Sequence, residues 1–216
     1  MQIIPRWRYV HDIAKPLLRK DNTVYIDESP FASHQHRTKG WSKSGENAFR
    51  STSVIRGTNH SVIAAISPTH GLLHYKIKKT EKDDAYETKG IGEQVFKEFS
   101  QELLRLPLFH QRRKYYFCVM DNVNFHKSPD VKNLYNARHQ HTLLPPYSPF
   151  LNPIEFIFSQ WKLLFKKLNH RNDVEVVDAI HESARQLSLK LPLFLACYSH
   201  TCTYHDRVLH MEDIND

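Results

Sequence analysis

Apolar residues change their spacing several times along this chain, and each change marks a predicted element. Residues 23 to 27, Thr-Val-Tyr-Ile-Asp, are a β-branched and aromatic run ending on an acid before Ser29-Pro30, which predicts a buried strand closing in a turn. A polar and basic loop follows from His34 through Gly45. Further strands are predicted at Ser51 to Arg56, at Ser61 to Ile66 and, after the turn Ser67-Pro68-Thr69-His70-Gly71, at Leu72 to Lys78. Short turns between them imply an antiparallel meander.

The period then changes. Ile91, Val95, Phe99, Leu103 and Leu106 recur at three and four residues, the apolar stripe of a helix that packs on a sheet. Tyr115 to Met120 is a continuous apolar run, as in a strand buried on both faces, and it too ends on an acid, Asp121. A strand, helix and strand in succession imply parallel pairing. Ser128 to Arg138 reads as a short helix and His141 to Leu144 as a short strand stopped by Pro145-Pro146. Asn152-Pro153 opens a helix to about Asn169, with Asn as cap and Pro at the first helical position. Val176, Val177, Ile180 and Ala184 mark another from Asp173 to about Leu189. With three of these six strand candidates as the opening meander, the resulting order β-β-β-α-β-α-β-α-α is that of the α/β ribonuclease-H-like fold, a mixed five-stranded sheet flanked by helices.

Composition narrows the partners. A chain of 216 residues with 40% hydrophobic content can bury one good core, so one compact domain with terminal extensions is expected. Thirty Lys and Arg against 23 Asp and Glu give a formal charge of +7, which favours a polyanion, with nucleic acid fitting best. Three cysteines without a CxxC pair give no disulfide framework, consistent with a reduced intracellular protein. No apolar run approaches the ~20 residues of a membrane span, and the start lacks a signal peptide's apolar segment.

The chemistry rests on acids. Asp27 and Asp121 are predicted at strand ends, where open α/β sheets form sites, and Glu155 lies in the first turn of a helix whose dipole favours an ionised carboxylate. Phosphodiester cleavage near neutral pH needs an activated water or hydroxyl and a sink for charge on the leaving oxygen, and paired oxygen-ligated cations supply both. Carboxylates suit magnesium or manganese, and no Walker, GxSxG or HExxH motif offers another chemistry. Each acid alone also fits a structural role: Asp27 and Asp121 as turn acids, Glu155 as the return partner of a capping box with Asn152. Ile157, Trp161, Leu164 and Leu168 form the apolar face of the last acid's helix. Glu155, Ser159, Lys162 and Lys166 form the other, a track suited to a phosphate backbone or simply a solvated face.

Longer strings carry a resemblance: Val24-Tyr25-Ile26-Asp27-Glu28-Ser29; Lys39-Gly40-Trp41 with Gly45; Val119-Met120-Asp121-Asn122-Val123-Asn124-Phe125-His126-Lys127-Ser128; and Leu144-Pro145-Pro146-Tyr147-Ser148-Pro149-Phe150-Leu151-Asn152-Pro153-Ile154-Glu155. From about residue 23 to about residue 170 the chain resembles the DDE/D transposase domain of the Tc/mariner superfamily and its bacterial insertion-sequence relatives. Asp121 and Glu155 stand 34 positions apart, the close spacing of that superfamily. The resemblance implies two Mg2+ or Mn2+ ions, with Asp27 bridging them, Asp121 completing one site and Glu155 the other. Asn122, His126 and Tyr147 lie in the same motifs and are candidates for orienting ligands or touching DNA, with no chemistry assigned to them; His126 also reads as a helix-start histidine. The resemblance implies double-stranded DNA, as transposon ends and target, for a partner; the basic residues Lys162, Lys166, Arg112, Arg113, Lys114, Lys39 and Lys43 are the candidates to bind it. It leaves room for a homodimer and implies an intracellular site, nuclear in a eukaryote and otherwise cytoplasmic or nucleoid.

The organisation expected is an N-terminal extension or linker remnant at 1–22, the catalytic domain at 23–170 and a helical C-terminal extension at 171–216. Only 26 residues precede Asp27, so the helix-turn-helix modules that read transposon ends are expected to be missing or supplied elsewhere. Phe150 stands where the superfamily usually has Asp and Phe156 where it usually has Asn, which alters polarity beside Glu155. An alternative of another class is therefore an inactive or domesticated DNA-binding module retaining the fold. A nuclease acting on RNA–DNA hybrids is a third, opposed by the Pro-Pro-Tyr-Ser-Pro string. In the tail, Cys197, His200, Cys202 and His205 have the composition of a zinc set, but Leu191 to His210 reads as a helix, and ligands crowded within nine residues rarely close a site without a more distant partner.

Overall fold

The computed structural model describes residues 3–32, 43–45, 59–79, 91–136, 138–168, 173–212 and 214. Five strands form one mixed sheet: β1 (Thr23–Ala32), β2 (Asn59–Ser67), β3 (Gly71–Lys79), β4 (Phe117–Met120) and β5 (Gln140–Leu143), in the spatial order β3-β2-β1-β4-β5. β1, β2 and β3 pair antiparallel as a meander, while β4 and β5 extend the sheet in parallel from β1. The expected strand at Ser51 to Arg56 lies outside the described residues.

β1 is longer than its sequence suggests. It pairs with β4 only over Thr23–Ile26 but with β2 as far as Ala32, so Asp27 sits inside the strand and Ser29-Pro30 makes no turn. Beyond Ile26 the β4 side of β1 has no ladder partner among the described residues, and proline is tolerated on such an edge because it breaks no hydrogen bond there. Asp27 therefore marks where β1 parts from β4, and not where β1 ends.

The helices are α1 (Ile3–Arg8), α2 (Lys15–Leu17), α3 (Glu93–Leu104), α4 (Pro129–Asn136), α5 (Pro153–Lys167), α6 (Asp173–Ser188) and α7 (Leu191–Leu209). A π-helical stretch, Tyr9–Ala14, joins α1 to α2. The alternation of β1 divides the core. Val24 and Ile26 face α3 and α4, with Phe96, Phe99, Leu103, Val131 and Tyr135. Tyr25 and Phe31 face α5, α6 and α7, packing with Trp161, Phe165, Ile180 and Phe194. Period two then puts Asp27 on the α5 face and Glu28 on the α3 face. Trp161 anchors its side: buried, edge-on to Phe31 at 5.3 Å and to Tyr75 at 5.4 Å, it donates its indole N–H to Ser183 of α6 at 2.9 Å. The N-terminal helical segment joins the same cluster through Tyr9, Val10 and Ala14.

Candidate active site

The parting of β1 from β4 opens a cleft. Asp27 on β1, Asp121 one residue beyond β4 and Glu155 in the first turn of α5 all line it, together with Asn152, Lys127 and the 144–149 segment. The cleft encloses about 510 Å³, room for a sugar-phosphate unit beside small ions. Three acids remote in sequence thus reach one cavity because the parallel β1–β4 pair and the start of α5 end at the same place.

Each acid is held differently. Asp27 is only 6% exposed; its Oδ1 accepts the Glu28 backbone N–H at 2.7 Å and its Oδ2 accepts the Asn152 side-chain amide at 2.9 Å. Asn152, read from sequence as the cap of α5, makes no side-chain cap bond; it spends its amide on Asp27, and its buried Oδ1 has no hydrogen-bond partner. Asp121 accepts from the buried His126 ring, Nδ1 to Oδ1 at 2.7 Å, and the other face of that ring, Nε2, lies 3.2 Å from Glu28 Oε1. Glu155 reaches solvent at the cleft wall. Its capping-box role has no counterpart, since the Asn152 side chain is turned to Asp27.

The electrostatics are those of crowded anions. Burial, then the charges of Glu28, Glu155 and Asp121, push the Asp27 carboxyl well above the usual range, against the one lowering influence of the Glu28 N–H. Burial also raises Glu155, opposed by Lys162 and aided by Asp121. Burial would lower His126, yet its hydrogen bonds to Asp121 and Glu28 outweigh this and hold it at about 9. A divalent cation would reverse the pressure on both raised acids, because it favours their charged form. An orphaned amide oxygen and two carboxyls raised by burial and neighbouring charge, hard oxygen donors on residues lining one cleft, fit such an ion.

The predicted cations divide. Lys162 and Lys166 run along α5 from Glu155, both half-buried; desolvation lowers Lys162, Glu155 raises it, and its ammonium lies 5.9 Å from the Phe31 ring centroid. Arg112, Arg113 and Lys114 are exposed before β4, at the opposite end of that strand from Asp121, so they do not line the cleft. Lys43 is exposed, and Lys39 lies outside the described residues. Asn122 lines the cleft half-buried, and Tyr147 projects from its rim 79% exposed, with a left-handed backbone at φ 51°. Arg6 of α1 grips this rim, donating to the Tyr147 carbonyl at 2.5 Å and the Ser148 hydroxyl at 3.1 Å.

Sequence reasoning missed Asn152 as a partner of Asp27, as well as Lys127, Arg6 and Glu28. Glu28, Lys127 and Asn152 had a signal in that they lie within the motif strings, whereas Arg6 had none. The two departures noted in the last motif turn away from Glu155. Phe150 is buried with its ring 5.4 Å from that of Tyr204, and Phe156 packs 4.9 Å from His200, both partners on α7.

A mixed sheet in this order, with helices on both faces and an acid-lined cleft where β1 and β4 part, defines the ribonuclease-H-like class of fold. Residues 22–178 match the family of DDE superfamily endonucleases, and the chain belongs to that family. The fold is also that of solved Mos1 transposase structures. A pre-cleavage Mos1 transpososome has TM-score 0.75 at 14% identity, over 100% of this chain and 64% of that one. The Mos1 paired-end complex with the left transposon end has TM-score 0.72 at 16% identity, over 97% and 61%. The Mos1 catalytic domain with Raltegravir and Mg has TM-score 0.71 at 13% identity, over 100% of this chain and 97% of that one. The chain thus spans about three-fifths of the Mos1 transposase chains in those DNA complexes and nearly all of the isolated catalytic domain. No curated protein matches it in sequence. Among the described residues no helix is long and apolar enough to cross a membrane.

Proposed function

We propose that this chain is a transposase-type DNA endonuclease and strand transferase whose cleft holds a pair of Mg2+ or Mn2+ ions on Asp27, Asp121 and Glu155. The observation that carries the reading is that Asp27, Asp121 and Glu155 line one cleft, with the Asp27 carboxyl pushed up by its burial and by the neighbouring carboxylates. Bound there, such ions acidify the attacking water or hydroxyl and stabilise the leaving oxygen.

The chain's own side chains do the rest. Asn152 fixes the Asp27 carboxylate, and His126 fixes that of Asp121. Lys162 and Lys166 hold phosphates leading out of the cleft, with Lys127 across it, while Tyr147 meets DNA at the rim. Double-stranded DNA, as element end and as target, is the substrate. Catalysis is assigned to residues 23–170, with the flanking helices as support. Mos1 has been solved in complexes with transposon ends and with Mg or Mn, which supports both the substrate and the ions. The idle-module alternative gains nothing from Phe150 and Phe156, since both pack on α7.

The test is nicking of a supercoiled plasmid and of element-end duplexes in Mg2+ or Mn2+. Asp27→Asn, Asp121→Asn and Glu155→Gln are each expected to abolish it while salt-sensitive DNA binding persists. Undiminished nicking in all three variants rejects the assignment.

A further inference from the structure

Glu28 is not needed as one of the three acids, yet it is tied into the site. Asp121 stands beyond the end of β4 in a stretch without regular structure, so no ladder fixes its carboxylate. Its Oδ1 accepts from His126 Nδ1 at 2.7 Å and lies 3.5 Å from the Val123 amide, which leaves Oδ2 for a ligand. His126 is wholly buried and held on every side. The Phe96 and Phe125 rings lie 4.2 and 4.5 Å from it, and its carbonyl accepts from His141 Nε2 at 2.8 Å. Its second nitrogen, Nε2, reaches Glu28 Oε1 at 3.2 Å. Glu28 in turn is fixed by the β1–β2 ladder, opposite Ile63.

We infer that Glu28 is a positioning residue, which through His126 anchors the Asp121 carboxylate to the sheet and so sets the affinity of the cleft for its divalent cations. This rests on the metal reading proposed above. Glu28, Asp121 and His126 have ligand atoms within 4.8 Å of one another, the composition of a metal site. The imidazole nevertheless lies between the two carboxylates with a nitrogen on each, an arrangement already closed by hydrogen bonds and not a set of free donors. Hydrogen-bond partners behind a metal-binding carboxylate are worth about 10- to 100-fold in metal affinity. A rigid strand at one end and a loop acid at the other is what such a partner needs.

The role depends on contact and reach, not on charge, and two near-isosteric changes separate these. Glu28→Gln keeps the length and an acceptor oxygen for His126 Nε2. Glu28→Asp keeps the charge but is one methylene short. Mn2+ binding to the full chain, followed by loss of the free-ion paramagnetic resonance signal, is expected to stay within about 3-fold of the parent in Glu28→Gln and to weaken about 10-fold or more in Glu28→Asp. Thermal unfolding of both variants should stay cooperative. The reverse order, equal affinity in all three proteins, or equal weakening in both variants overturns the positioning role, the last because it marks Glu28 as a ligand. A parent protein that binds no Mn2+ overturns the relay together with the metal reading, whereas a parent that binds it and variants that match it overturn the relay alone.

Discussion

Two sets of residues singled out in the sequence have the types of a metal site, and only one of them lines a common cavity. In the cleft, Asp27, Asp121 and Glu155 come from a strand, a loop and a helix, and the parallel β1–β4 pair brings them to one cavity. On α7, Cys197, His200, Cys202 and His205 are neighbours in sequence, yet one helix carries them all. Cys197 and His205 are buried while His200 is exposed, and eight residues of helix separate the two buried groups by roughly 12 Å of rise. Among the described residues, the close-set ligand group is Glu28, Asp121 and His126, which contains none of these four and only Asp121 of the cleft acids. Proximity along a chain says little about convergence, which comes from topology.

The largest effect that could break this contrast is in the cleft. Asp27→Asn should lower metal-dependent nicking by about 10³-fold or more, on the order of 4 kcal/mol of transition-state stabilisation, measured on supercoiled plasmid. A residual rate within 10-fold of the parent would place the chemistry elsewhere.

Next comes the pH dependence of the α7 region. Burial, then the charge of Lys15, opposed by Asp206, lowers His205 to about 4, against about 6.5 in an unfolded chain. Above pH 6.5 both forms are neutral and the group is silent. Between 6.5 and 4 the unfolded chain takes up a proton that the folded chain refuses, so stability falls by on the order of 3 kcal/mol, the full loss being reached below 4. His205→Leu should flatten that part of a denaturant-midpoint profile between pH 7 and 4. An unchanged slope would mean that His205 is not held neutral by its surroundings.

A smaller effect is expected from Arg6, the link between the N-terminal helix and the cleft rim. Besides its bonds to Tyr147 and Ser148 it lies over the Phe150 ring at 4.9 Å. Arg6→Ala should weaken DNA binding several-fold by loosening the rim, with Mn2+ affinity unchanged, read by titration of a fluorescent duplex at fixed salt. The smallest effect sharpens the contrast from its other side. Cys202→Ser with His200→Ala should leave nicking, metal content and melting temperature where they were, and a loss of bound zinc in that variant would show the helix reading of the tail to be wrong.

What the sequence made legible is what depends on local periodicity. The stripe through Val95, Phe99 and Leu103, the Trp161 face of α5, and the extents of α6 and α7 all follow from side chains three and four apart meeting one neighbour. The mixed sheet followed from the order of elements. Where local chemistry and sheet pairing disagreed, pairing won: Ser29-Pro30 reads as a turn, but the β2 ladder carries β1 through it. Asn152 has the residue type and place of a cap, and a buried carboxylate on β1 claimed its amide instead. The links from Glu28 to His126 and from Arg6 to Tyr147 span 98 and 141 positions, and no spacing rule reaches across such distances.

The most direct test of the central claim replaces the native cation by Fe2+ and generates hydroxyl radicals with peroxide and ascorbate, which cut the backbone beside the bound metal. The account predicts cuts in three separate stretches, around residues 27, 121 and 155, all suppressed by excess Mg2+. Cuts confined to 197–205, or spread evenly along the chain, would contradict it.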